Sequence, residues 1–160
     1  VVAGITKNSD AAAGMFVEHT AVANSNNGSF FISAPQSAAA NFGGKARGTV
    51  AAVASGYNPT TYTAPTSLVV SVQIDLSQST KAAAVIPRFN GTIDQGEDDG
   101  SAVNNGGTFA NATTYWGRRG GSTVPFNGRE YVFIERFGPM SDSERNQAER
   151  WVAQRMGVTI

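Results

Sequence analysis

The last thirty-five residues, Phe126 to Ile160, constrain the fold more than any other stretch of the chain. They hold a turn around Asn127-Gly128, an amphipathic strand and a capped helix, in that order. From Arg129 to Phe137, Tyr131, Phe133 and Phe137 alternate with Val132 and Ile134, which puts apolar side chains on both faces. Such a strand is expected to be covered on both sides. Ser141 and Glu144 form the capping-box pattern, in which each side chain satisfies the other residue's free backbone N–H. Ala148, Trp151, Val152, Arg155 and Met156 recur at helical spacing. Gly157 stands where a left-handed cap belongs. The spacing lays Trp151, Val152 and Met156 on a sheet, where burial of Trp151 would contribute roughly 2–3 kcal/mol.

Upstream, the punctuation is that of many short strands. Val1 to Thr6, Met15 to Val22 and Ser29 to Ser33 are expected strands, joined by turns at Asn8–Gly14 and Asn24–Gly28 into a hairpin ladder. Asn41 to Gly48 is glycine-rich loop carrying Lys45 and Arg47, and Thr49 to Ala54 a short strand of small residues. Leu68, Val70, Val72, Ile74 and Leu76 alternate with Val69, Ser71, Gln73 and Asp75, the period of a half-buried strand. Ala82 to Phe89 is a further strand, with Pro87 marking an edge or bulge, and Asn90-Gly91 is a turn. Asp94 to Gly107 is an acidic, glycine-rich surface loop, and Thr113 to Arg118 a strand. Short strands at regular spacing with a helix only at the end predict an all-β antiparallel sandwich in one domain spanning residues 1–160.

Composition excludes several functions. The formal net charge is zero and charged residues make up 15% of the chain, so no basic field is available to hold a nucleic acid. Absence of cysteine rules out disulfides, thiolate metal sites and cysteine nucleophiles. No apolar run reaches membrane-spanning length, and no signal peptide is visible. The chain opens directly on a strand, Val1-Val2-Ala3-Gly4-Ile5, without an initiator Met. It is therefore expected to be the C-terminal part of a longer protein or a processed product.

Specific residues then carry a family resemblance. Tyr115-Trp116-Gly117-Arg118-Arg119-Gly120-Gly121, Pro125-Phe126-Asn127-Gly128-Arg129 and Ser141-Asp142 with its helix resemble the end of a concanavalin A-like (laminin G-like) jelly roll. Ala3 to Lys7 with Asp10 to Gly14 resembles the strand and turn near that fold's start, and Val85 to Gly91 its central hairpin. The chain is similar to versions of this module in bacteriophage tail and other virion proteins and in secreted bacterial proteins. It departs from them in lacking the first strands and in having Trp116 where an aliphatic residue is common. The resemblance implies a glycan-binding or adhesive module, acting outside the cell or on a virion. Its implied partners are a host surface polysaccharide and other virion proteins, and its implied assembly a homotrimer. The fold hosts many functions, so the residues must carry the rest.

Three groups are candidate sites. Asp94, Glu97, Asp98 and Asp99, with Asn104 and Asn105 nearby, offer hard oxygen ligands for Ca²⁺, although their spacing matches no EF-hand; a solvated turn is the competing reading. Trp116 with Arg118 and Arg119 offers an indole face and guanidinium groups to a sugar, against a core tryptophan with arginines on nearby carbonyls. Period two places Trp116 and Arg118 on one face. Tyr57 and Tyr62 lie in a loop, where tyrosines bind glycans or simply pin the chain. His19, the only histidine, is expected at a strand surface. Glycosidase chemistry needs two carboxylates roughly 5–10 Å apart; Glu130 and Glu135 are five positions apart and Glu18 has no acidic partner two away, so catalysis is not expected. No P-loop, dinucleotide fingerprint or metalloprotease helix is present. The glycosylation patterns at Asn27, Asn90 and Asn111 are too short and frequent to carry weight. The expected function is a non-enzymatic carbohydrate-binding or adhesive module with no required cofactor; the alternative is a structural virion domain acting through protein contacts.

Overall fold

The computed structural model describes residues 1–23, 26–37, 40–49, 55–57, 61–95, 106–120 and 123–160, the side chains of 55–57 and 81 excepted. The strands are β1 (Val2–Lys7), β2 (Met15–His19), β3 (Ser29–Ser33), β4 (Gly43–Arg47), β5 (Ser55–Tyr57), β6 (Thr66–Ile74), β7 (Val85–Phe89), β8 (Thr92–Ile93), β9 (Thr114–Trp116) and β10 (Gly128–Ile134). A single helical turn, α1 (Lys81–Ala84), precedes β7, and α2 (Asp142–Met156) closes the chain. The strands form two five-stranded sheets, ordered β10-β1-β6-β7-β8 and β5-β4-β3-β2-β9. Every strand pair is antiparallel. The protein is thus an antiparallel β-sandwich of the jelly-roll kind with a C-terminal helix, as expected.

Alternation explains the three layers. Ala3, Ile5, Leu68, Val70, Val72 and Phe133 turn inward against Phe16, Phe30, Ile32 and Ala46 of the second sheet. Their sequence neighbours Val2, Val69, Val132 and Ile134 turn outward against Val152, Ala153 and Met156 of α2. The long strand β6 is therefore covered on both faces rather than half-buried. Gly4 faces the helix, where a Cβ would occupy the space of Met156 and Val152.

Several expectations are corrected. β1 and β2 belong to opposite sheets and form no hairpin; β1 pairs with β10 and β6. β2 ends at His19, because Thr20 has a left-handed φ of 78° and leaves the ladder. The glycine-rich stretch Gly43–Arg47 is an inner strand, whose small residues fit between β3 and β5 with Ala46 in the core. Ala82–Ala84 is helical turn, not strand. Of Thr49 to Ala54, residues 50–54 lie outside the described residues. The Asn90-Gly91 turn is as expected, with φ values of 49° and 81°.

The helix carries its expected caps. Ser141 and Glu144 form both bonds of the box, and Gly157 has φ 71°. Its buried stripe, however, is Arg145, Glu149, Val152 and Ala153. Trp151 stands outside that stripe, 45% exposed, with the Arg155 guanidinium 5.2 Å from its ring. One residue's rotation of about 100° from Val152 carries it to the helix flank. Glu149 is 1% exposed. It accepts from Ser71 Oγ, and its Oε2 lies 3.2 Å from Arg88 Nη2.

Glu149→Ala is expected to cost about 3 kcal/mol, because it leaves Arg88 without its buried counter-charge; urea unfolding reads the loss. At the start of the helix, the Ser141 backbone N–H, then Arg136 and the Ser141 hydroxyl, pull the Glu144 carboxyl down from 4.5 to about 2. A depressed carboxylate stabilises the fold above its unfolded value and loses that contribution as pH falls. Glu144→Gln should therefore flatten the melting temperature against pH between 4.5 and about 2. An unchanged profile would contradict the role given to this cap.

Candidate functional site

Beyond its last paired residue, β6 continues as Asp75-Leu76, and beyond Ile134 the chain crosses from β10 to α2 through Glu135–Met140. These two extensions, with Phe109 on the far side, leave a cleft of about 550 Å³ at one end of the sandwich. Its walls are largely apolar, with Phe30, Val72, Ile74, Leu76, Phe109 and Phe137 among them. Phe137, expected on a strand face, instead follows the end of β10 and is 74% exposed at the rim.

A few polar groups converge on these walls. Arg145 enters because it lies one helical turn before Glu149 on the buried stripe, and it is 5% exposed. Its Nη2 donates to Asp142 Oδ1 at 2.8 Å, while Nε and Nη1 have no hydrogen-bond partner. Gln73, two residues beyond Ser71 on the helix-facing side of β6, has a buried Oε1 that is likewise unpartnered. A buried polar group left unpaired costs about 1–3 kcal/mol. An apolar concavity with a few convergent polar groups is the usual form of a small-molecule site. Among the described residues, no candidate from the sequence lies here. The signal available there was the charged pair Arg145 and Glu149, which shares the helical stripe of Val152.

Those of the residues singled out from sequence that the structure describes sit elsewhere. Trp116 is half-buried in the sandwich, its ring edge-on to Phe16 at 6.1 Å and in contact with Phe133. β9 ends at Trp116, and Gly117 at φ 67° turns the chain, so the alternation does not extend to Arg118, which is exposed. Arg119 Nε donates to Glu18 Oε1 at 3.1 Å. Glu18 is fully buried and also accepts from the Ala23 and Gly120 backbone N–H groups.

Tyr62, placed with the ligand candidates, and Asp94, placed with the metal candidates, are joined: the phenol donates to Asp94 Oδ2 at 2.9 Å. Burial first, and this carboxylate second, push the Tyr62 phenol above its ordinary range. Its ring stacks on Phe89 at 4.8 Å. Tyr57 ends β5, its side chain outside the described atoms, and Glu97, Asp98 and Asp99 lie outside the described residues, as do Asn104 and Asn105. Among the described residues, no three His, Cys, Asp or Glu side chains gather to hold a metal.

His19 is a correction. It is 3% exposed, stacked on Phe30 at 5.4 Å, with Nδ1 3.0 Å from Thr114 Oγ1 and Nε2 2.8 Å from the Ala110 carbonyl. Both ring nitrogens are thereby occupied, which removes it from the surface.

The chain matches no family model and no curated protein. Two solved structures of the Ruminococcus gnavus IT-sialidase carbohydrate-binding module CBM40 share its fold. One, bound to α2,3-sialyllactose, is 15% identical with a TM-score of 0.53, over 79% of this chain and 68% of that one. The other is 14% identical with a TM-score of 0.56, over 94% and 80%. At such identity the likeness is one of fold.

Arg119→Met tests what that arginine is for. It strips the buried Glu18 carboxylate of its counter-charge, and thermal unfolding should show a loss of roughly 2 kcal/mol, below the 3–5 of a fully buried pair because Arg119 is 24% exposed. Unchanged stability would return Arg119 to the pool of free ligand-binding groups.

Proposed function

We propose that the chain is a non-enzymatic carbohydrate-binding module and that the end cleft is its sugar site. The observation that carries this reading is the convergence of apolar walls on a buried arginine, whose Nε and Nη1 have no partner, and a glutamine whose Oε1 has none. Carbohydrate ligands present both things such a site needs: an apolar ring face for Phe137 and Phe109, and hydroxyls for Arg145 and Gln73. The fold shared with a sialidase's carbohydrate-binding module supports the same class. Display on a secreted protein or on a virion tail is the setting that the jelly-roll resemblance implies, and the cleft works equally in either.

A glycan array spanning neutral and acidic host-surface polysaccharides tests the proposal. Binding to a subset of glycans, with the bound material recovered uncleaved after prolonged incubation, is the expected result. An array without a hit would sink the carbohydrate reading, and cleaved product would sink its non-enzymatic half.

A further inference from the structure

We infer that the end cleft takes a neutral, hydroxyl-rich sugar ring rather than an acidic one; this rests on the carbohydrate-binding reading and names the ligand class of the same site. Two features of the cleft decide it.

The first is charge. Both arginines of the cleft already hold a carboxylate: Arg136 Nη1 lies 2.9 Å from Glu144 Oε1, and Arg145 Nη2 2.8 Å from Asp142 Oδ1. The other charged side chains on its walls, Asp75 and Glu135, are acidic. The Val1 nitrogen at its edge donates to the Val72 carbonyl at 2.9 Å. An incoming sugar carboxylate would meet two acidic neighbours and two cations already matched. In a largely apolar enclosure such like-charge contacts are poorly screened.

The second is the pattern of unpaired atoms. Arg145 Nε and Nη1 are donors, and Gln73 Oε1 is an acceptor. A carboxylate only accepts, so it cannot itself satisfy Gln73 Oε1, which needs a hydroxyl. A hydroxyl both donates and accepts, so hydroxyls suit all three atoms. Asp142 holds one of the two Nη2 N–H groups, while Nε and Nη1 keep all of theirs. The less polar face of the ring then lies against Phe109 and the exposed Phe137.

Isothermal titration of the full chain with the methyl glycosides of galactose, glucose, mannose and N-acetylglucosamine, against sialic acid and glucuronic acid, is the test. The same titrations are run on Gln73→Leu, Phe137→Ala and Arg145→Met. The expected result is binding to at least one neutral glycoside, weakened about tenfold or more in each variant, with the acids bound at least tenfold more weakly. Acid-only binding that is lost in Arg145→Met and kept in Gln73→Leu would overturn the neutral assignment and leave the carbohydrate reading standing. Neutral binding untouched by every folded variant would overturn the cleft as its place. No binding of any sugar, here or on the array, would remove both. Should Arg145→Met fail to fold, Phe137→Ala at the exposed rim and Gln73→Leu carry the same decision.

Discussion

The buried Glu149 carboxylate sets the angle at which the terminal helix meets the sheet, and much of the molecule follows from that angle. A charge at 1% exposure must be matched, and here Ser71 and Arg88 match it from adjacent strands, β6 and β7. Hydrophobic contacts through Val152 and Met156 press the helix onto the sheet but tolerate some rotation about its axis. A hydrogen-bonded carboxylate does not, since a small turn would leave it unpaired in an apolar layer. With Glu149 held, Val152 and Ala153 point down, Trp151 is carried to the flank, and Arg145 is carried into the end of the sandwich.

The same register connects the fold to the cleft. Three or four helical residues rise about 4.5–6 Å, and two strand residues about 6.6 Å, so successive helix turns follow alternate strand residues. Val69 packs with Val152, and Ser71 bonds Glu149. The next step along brings Gln73 and Arg145 to the cleft, and there the polar ladder stops: each has free hydrogen-bonding atoms. The capping box, tied to Arg136 through Glu144, anchors the chain entering the helix. Asp142 holds one edge of the Arg145 guanidinium, so that side chain is fixed where it stands.

What was legible in the sequence was local chemistry. The Asn90-Gly91 turn, the Ser141–Glu144 box and the Gly157 cap depend on neighbours within a few positions, and so does the two-faced pattern around Val132 and Phe133. What was not legible depends on partners far along the chain. Gly43–Arg47 has loop composition and becomes a strand because β3 and β5 flank it. His19 is interior because Thr114 and Ala110, more than ninety positions away, occupy both its nitrogens. The amphipathic pattern placed Trp151 on the sheet because a hydrophobicity count ranks a tryptophan above an arginine or a glutamate; the buried network reverses that order.

This reversal also bears on where a ligand site can form in such a sandwich. Aromatic rings on paired strands have neighbours on their inner face, so Trp116 packs with Phe16 and Phe133, and Tyr62 in its loop is drawn onto Phe42 and Phe89. A ring stays available where pairing has run out, as for Phe137 just past β10. Unpaired polar groups survive in the same place, because no strand remains to satisfy them. Left with neither water nor ligand, each would cost about 1–3 kcal/mol, a large share of the stability of a domain this size. A hydroxyl that fills the gap removes that cost on binding, and one that is missing or misplaced leaves it in force. On the proposed reading, these open groups are the ones that discriminate between sugars.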